Sequence, residues 1–345
     1  MKAATEAGLR DPIQPWYEAI GSLGDYVTFR FGHLAPGSSE IRWVVLPHTR
    51  FDGIGGFAHM LREGGADIET LPQVAHPSDP SWWPFVRALP RLLGPRRRVA
   101  WGDLESGPAV AGGSLPDPVM AWRLFSEEET VALRGVAREA GVTANTFLLK
   151  HLDDSLRPEL ADPGASVPWM IPVNLRGKIN RKRDTANHSS YIAIRIAPGQ
   201  GMKDLHRDVY RRLNRGEHWA AWRGYSATQW LPMSWKRFLL KHDRAMTQWN
   251  LGLFTNLGVW DSEKAINQGD LRGAWLVMAT VLRCQMVGAA CITFQGRLSI
   301  TIQVHPDLTT SPAVPERWMQ RWVGRLTADL PVKPRCDHPI ATVPE

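Results

Sequence analysis

The sequence predicts an α/β protein in which helices flank a mixed β-sheet. Two observations carry that expectation. Apolar, β-branched runs of strand length alternate with segments of helical periodicity along most of the chain, and several of those segments open on clear helix caps. With 345 residues and 43% hydrophobic content, the chain is long enough for two domains or one two-lobed unit.

Residues 25–32 and 40–47 are rich in Val, Ile, Trp and Phe and flank the turn-forming Ala-Pro-Gly-Ser-Ser, which predicts two neighbouring strands. A helix after Asp52 runs through FAHMLRE and stops at Gly64 and Gly65. Residues 66–118, rich in Pro, Gly, Ser and Arg, read as a connection with one short helix around 84–93. Ser126 and Glu129 form a capping box for TVALRGVAREA, and Thr143 caps ANTFLLKHLDDSL. VPWMIPV and SSYIAIRI read as strands on either side of the loop NLRGKINRKRDTAN. Helices fill roughly 202–249. Three or four strands follow between 251 and 304, the last two joined at Gln295-Gly296, a hairpin signal. A final amphipathic helix has Pro315 near its first turn and Leu330-Pro331 at its stop. We find no internal repeat.

Charged residues are 22% of the chain and the formal net charge is +7. Disorder and fibrous classes are therefore excluded, and anionic partners are favoured: nucleotide-bearing cofactors, acidic carrier proteins, membrane surfaces or nucleic acid. The three cysteines, Cys284, Cys291 and Cys336, show no Cys-x-x-Cys spacing. They predict a reduced, cytoplasmic protein without a disulfide framework or zinc site. The most apolar window, 274–294, holds Arg283 and Gln285 at its centre and is read as two buried strands rather than a membrane span. Sixteen tryptophans are present. Trp219, Trp222, Trp230, Trp235 and Trp249 crowd a basic stretch, which reads either as core and groove-lining aromatics or as an interfacial, lipid-facing surface.

The chemistry concentrates in WVVLPHTRFDGIGGF, residues 43–57. An apolar strand ends at His48, and an Asp-Gly turn then opens a helix. Histidine is the side chain most easily used as a base near neutral pH, and a strand end holds its ring rigidly. Asp52 is placed to lock the turn by pairing with an arginine, and Gly53 lets a substrate or the chain come close. Competing readings are thinner. His48, Asp52 and His59 lack a zinc spacing, Ala58 breaks Gly-x-Gly-x-x-Gly, and no Gly-x-Ser-x-Gly elbow exists.

Downstream stand SEEETVALRGVAREAGVTANTFLLKHL, IPVNLRG, NHSSYI, FTNLG and GRLSITIQVHPD, then a last helix. This ordered series, over residues 24–65 and 118–330, resembles the superfamily of chloramphenicol acetyltransferase, nonribosomal peptide condensation domains, polyketide-associated acyltransferases and bacterial wax-ester synthase/diacylglycerol acyltransferases. The resemblance implies a two-lobed sandwich with mixed sheets and flanking helices. It divides the chain into an N-terminal lobe with the interlobe connection, residues 1–117, and a C-terminal lobe, residues 118–345. It makes His48 the catalytic base of His-x-x-x-Asp-Gly, Asp52 and Gly53 structural, and Arg176 the partner of Asp52. Asn256 and Gly258 then line the tunnel.

The implied reaction moves an acyl group from a thioester to a hydroxyl or amine. Acyl-coenzyme A or an acyl-carrier protein is the co-substrate, with no bound cofactor and no metal. The basic segments 95–98 and 176–183 are candidates to meet donor phosphates, or else are solvated loops. Neither sits on a nucleic-acid recognition fold. Two departures stand out: Pro47 replaces the first His of the family's pair, and only 47 residues precede His48. The N-terminal lobe is thus expected to be reduced, with room for a completing subunit. Two alternatives stay open, amide-forming condensation on carrier-bound substrates and a non-catalytic docking subunit of a biosynthetic complex.

Overall fold

The computed structural model describes residues 11–73, 82–93, 99–107, 117–179, 181–244, 250–260, 271–328 and 330. The basic segment 95–98, Trp249 and Cys336 lie outside them. The chain builds two sheets. Strands β1 (Thr28–Leu34), β2 (Ile41–Pro47) and β7 (Ala274–Met278) form an antiparallel sheet in the order β2-β1-β7. A six-stranded mixed sheet has the order β3-β9-β8-β6-β4-β5. Its members are β3 (Val119–Leu124), β4 (Val167–Asn174), β5 (Ser189–Ile196), β6 (Gly252–Trp260), β8 (Val287–Phe294) and β9 (Arg297–Val304), with β6 parallel to β4 and β8. The window 274–294 does split into two buried strands, β7 and β8, but they belong to different sheets.

The two sheets pack through an aromatic core in which Phe57 meets Trp260, Trp275 and Phe294 edge-on at 4.9, 5.4 and 6.0 Å. Strand β7 is an edge strand, and its free carbonyls need donors. Ser299 and Thr301 of β9 supply them, donating to Trp275 O at 2.7 Å and Val277 O at 2.6 Å. Gln295 and Gly296 both take positive φ, 47° and 75°, and turn β8 into β9 as the hairpin signal predicts.

Helices cover the large sheet: α4 (Glu127–Glu139), α5 (Ala144–Leu156), α6 (Met202–Asn214), α7 (Glu217–Thr228) and α9 (Ala313–Thr327). The capping box of Ser126 and Glu129 and the Thr143 cap both form. Trp219 and Trp222 are buried in this core, as the packing reading requires, whereas Trp230 and Trp235 are exposed. Helices α2 (Gly53–Glu63) and α3 (Trp83–Leu93) sit near their expected bounds. Helix α8 (Met233–Arg244) completes the run that follows β5. Helix α1 (Gln14–Gly21) and strand β3 have no counterpart in the sequence reading. No helix among the described residues is long and apolar enough to cross a membrane.

Candidate active site

The turn after β2 is built around one carboxylate. Asp52 caps α2, and its Oδ1 accepts from Gly55 N at 2.7 Å and Arg176 Nη2 at 2.8 Å. Its Oδ2 accepts from His188 N at 2.8 Å. Both oxygens are thus engaged, and 3% of the residue is exposed. Arg176 extends the lock. Its guanidinium also donates to the carbonyls of Asp184 and Ala186, at 3.0 and 3.2 Å, and to Asn174 Oδ1 at 3.2 Å.

The glycines serve close packing of the chain on itself. A Cβ on Gly53 would lie 2.7 Å from Leu257 Cδ2, and one on Gly55 would run into the Thr185 carbonyl. The helix amides that could have drawn an external anion are occupied in part by Asp52 itself.

His48 sits at the end of this turn, 9% exposed. Its backbone N–H donates to Val27 O at 2.9 Å. Ring Nδ1 lies 2.8 Å from Phe51 O, which can only accept, so the proton is assigned to Nδ1. Nε2 is then a bare lone pair, and the Tyr17 hydroxyl donates to it at 3.0 Å. The imidazole packs against the Tyr17 ring at 4.2 Å and the Phe29 ring at 4.3 Å. The ring is therefore rigid, as a base requires, but α1 closes over the nitrogen that would do the work. An open face at Nε2, expected from the motif, is absent. Neither Tyr17 nor Phe29 was visible as a site residue in the sequence. The buried Asn187 side chain lies beside the Tyr17 phenol and acts to lower its pKa.

Burial pulls the His48 pKa down to about 4, while the Phe51 carbonyl and the Asp52 charge push it back up. The Tyr17 phenol is raised above its usual range by the same desolvation and by the charge of Asp11. The imidazole is thus neutral throughout the physiological range. An unfolded histidine protonates near 6.5, so the unfolded chain takes up this proton first as pH falls. Stability from His48 is complete above pH 6.5 and is lost as pH falls from 6.5 toward 4, by about 3 kcal/mol at the bottom of that window. Urea unfolding of wild type and His48→Gln between pH 7.5 and 4.5 checks this. The wild type should lose more stability than the variant, and parallel curves would refute the assignment.

Asn256 and Gly258 lie on a bulge in β6, where its register with β8 shifts between Asn256 and Val259. Asn256 Oδ1 accepts from Gly258 N at 2.9 Å, Asn256 Nδ2 donates to Asn145 Oδ1 at 2.6 Å, and Gly258 takes φ +86°. The bulge presents Leu257 to Gly53. Asn256 and Gly258 line two neighbouring cavities of about 410 and 250 Å³. Ile54, next to Gly53, lines the larger, whose walls are mostly apolar and include Leu149, Ile171 and Phe254. His48 is not among the residues that wall either cavity. The structure thus sets His48, Asp52 and Gly53 in one turn, ties Arg176 to it through Asp52, and places Asn256 and Gly258 on adjoining cavity walls.

The basic loop 176–183 is divided. Arg176 and Arg181 face carboxylates, Arg181 lying 3.5 Å from Asp11 and its guanidinium 5.0 Å from the Trp222 ring centroid. Lys178, Lys182 and Arg183 are exposed. Among the described residues no group of three His, Cys, Asp or Glu side chains is arranged to hold a metal.

No protein-family model and no curated protein matches the chain. Solved structures do. An epimerization domain of tyrocidine synthetase B is 13% identical with a TM-score of 0.51, covering 83% of this chain and 68% of its own. A nonribosomal peptide synthetase cyclization-docking bidomain from Sorangium cellulosum is 12% identical with a TM-score of 0.54, covering 83% and 59%. The trichothecene 15-O-acetyltransferase of Fusarium sporotrichioides is 13% identical with a TM-score of 0.51, covering 93% and 75%. The chain spans 59–75% of the lengths of these neighbours. It shares the fold of these neighbours, a six-stranded mixed sheet with flanking helices packed on a small antiparallel sheet. The three neighbours are named for epimerization, cyclization and acetyl transfer, so the fold leaves the reaction open.

Proposed function

We propose that the protein transfers an acyl group from a thioester to a hydroxyl or amine, with His48 as general base. The observation that carries this reading is the imidazole itself: Nδ1–H anchored on Phe51 O, Nε2 deprotonated, and a hydroxyl 3.0 Å from Nε2. The Tyr17 oxygen occupies the place an acceptor's oxygen or nitrogen needs. When the acceptor replaces it, Nε2 takes the acceptor's proton as that atom attacks the thioester carbonyl. The tetrahedral intermediate then expels the thiolate, which receives the proton from Nε2. The imidazolium formed on the way is steadied by the Phe51 carbonyl and the nearby Asp52 charge. Asp52 and Arg176 hold the turn and take no proton.

The donor is coenzyme A-bound or carrier-bound. The carrier is favoured by the likeness to domains of peptide synthetases, and Lys178, Lys182 and Arg183 are exposed cations offered to phosphate. A carrier-bound amine would give an amide by the same proton transfer.

A second reading, a docking subunit without turnover, draws on the Tyr17 contact and on the absence of His48 from the cavity walls. Thiol release distinguishes the two. Wild type and Tyr17→Phe are incubated with acyl-coenzyme A and acyl-carrier donors and with alcohol and amine acceptors. Acyl transfer requires thiol release that depends on acceptor and is faster in Tyr17→Phe, where Nε2 is no longer capped. Absence of acceptor-dependent release from both proteins across the panel favours the docking subunit.

A further inference from the structure

Helices on the surface of a globular protein turn their apolar stripe inward. Helix α8 does the reverse. Trp235, Phe238, Leu239 and His242 are spaced i, i+3, i+4 and i+7 and form one stripe. That stripe faces solvent, with Trp235 57%, Phe238 49% and Leu239 40% exposed. The residue turned inward is Lys236, only 2% exposed. Its ammonium donates to the carbonyls of Gln229, at 3.0 Å, and Leu231, where the chain leaves α7. It also lies 5.9 Å from the Trp16 ring centroid of α1. Lys236 thus fixes the rotation of the helix with its apolar side outward. The aromatic rings are mutually packed, Trp235 on Phe238 at 5.9 Å and Phe238 on His242 at 3.9 Å. Trp230, in the link from α7, adds a side chain 74% exposed.

The surroundings are cationic. Helix α8 carries Lys236, Arg237, Lys241 and Arg244 against one acidic residue, Asp243; Lys241 is exposed on the flank of the stripe, while Arg237, also exposed, is turned toward α1 and donates to Ser22 Oγ at 2.9 Å. Helix α3, which packs on α7, repeats the composition with exposed Trp82 at its start, Trp83, Val86 and Arg87 and no acidic residue.

We propose that α8 is an interfacial helix that seats this protein on an anionic lipid bilayer. Trp235, Phe238 and Leu239 would enter the boundary between headgroups and acyl chains, with Trp230 beside them, and Lys241 would meet lipid phosphates. A second copy of the chain fits less well, because a two-fold contact through the stripe brings the Lys241 ammonium groups of both copies to one interface. An acidic protein complements the cations but not the apolar ridge beside them. The inference is independent of the chemistry at His48.

The test is flotation of the full chain with vesicles of phosphatidylcholine alone and with 30% phosphatidylglycerol, at about 0.1 M salt, where surface charges still act over roughly 10 Å. Wild type should float with the anionic vesicles. The triple substitution Trp235→Ala, Phe238→Ala, Leu239→Ala should lower partitioning about tenfold or more. Lys241→Gln should lower it about fivefold, toward the level seen on neutral vesicles. Circular dichroism and thermal melts establish that both variants are folded. Failure of wild type to float, or equal flotation by the folded triple variant, overturns the proposal. So does a dimer, or binding to an acidic protein, that needs the stripe while vesicles are ignored.

Discussion

Replacing His48 by alanine should lower acyl transfer about 10²–10⁴-fold, the usual contribution of a positioned general base. The loss should fall on kcat at least as much as on kcat/KM, because the proton moves only during attack. The variant vacates a ring-sized space between Tyr17 and Phe29. Added imidazole should enter that space and restore part of the rate, which a merely structural histidine would not permit. His48→Gln is a second control, since its amide can still donate to Phe51 O without supplying a base. Full activity in either folded variant would remove His48 from the chemistry.

The second large effect is on stability. Asp52→Asn should cost about 3–5 kcal/mol, because Arg176 is left charged and unpaired in the interior. The pair is 2.8 Å apart with each side chain 4% exposed. The substitution also sets an amide where Oδ2 accepts from His188 N, or forces the amide to turn toward Arg176 and Gly55. Either way two donors face each other. The double variant Asp52→Asn, Arg176→Met should recover part of the loss, since no buried charge is then stranded. Urea unfolding of the single and double variants checks both statements. A single variant within about 0.5 kcal/mol of wild type would leave the ion pair without the role assigned to it.

Much of this architecture is legible in the residues. Helices α4 and α5 announce themselves through Ser126, Glu129 and Thr143, because a cap and a periodic stripe are local signals. The need of Asp52 for partners is also legible, since a carboxylate at a buried turn must find donors. Which arginine supplies the charge is not a local property, and Arg176 came from resemblance alone. Sheet membership was hidden for the same reason: AWLVM reads as a strand, but nothing in those residues says that it pairs with β1 rather than with its sequence neighbour β8.

The most consequential omission is α1. Eight residues, QPWYEAIG, without a side-chain cap, fall below the length at which periodicity speaks. Yet this helix carries Tyr17 to His48 across 31 positions of sequence and determines whether the imidazole is reachable. The motif thus pointed to the ring, while its burial depended on a segment with almost no signature of its own.

The pairing of β1 with β7 also bears on how the chain is made. Residues 28–47 leave the ribosome more than 200 residues before their third strand at 274–278. At ordinary rates of translation that interval lasts roughly 10–40 s. Through it the edge of β1 that β7 covers is bare, and Phe57 lacks the aromatic neighbours it acquires only when Trp260, Trp275 and Phe294 arrive. The emerging N-terminal half is therefore a natural client for a chaperone, and a fragment cut before residue 274 should not fold on its own.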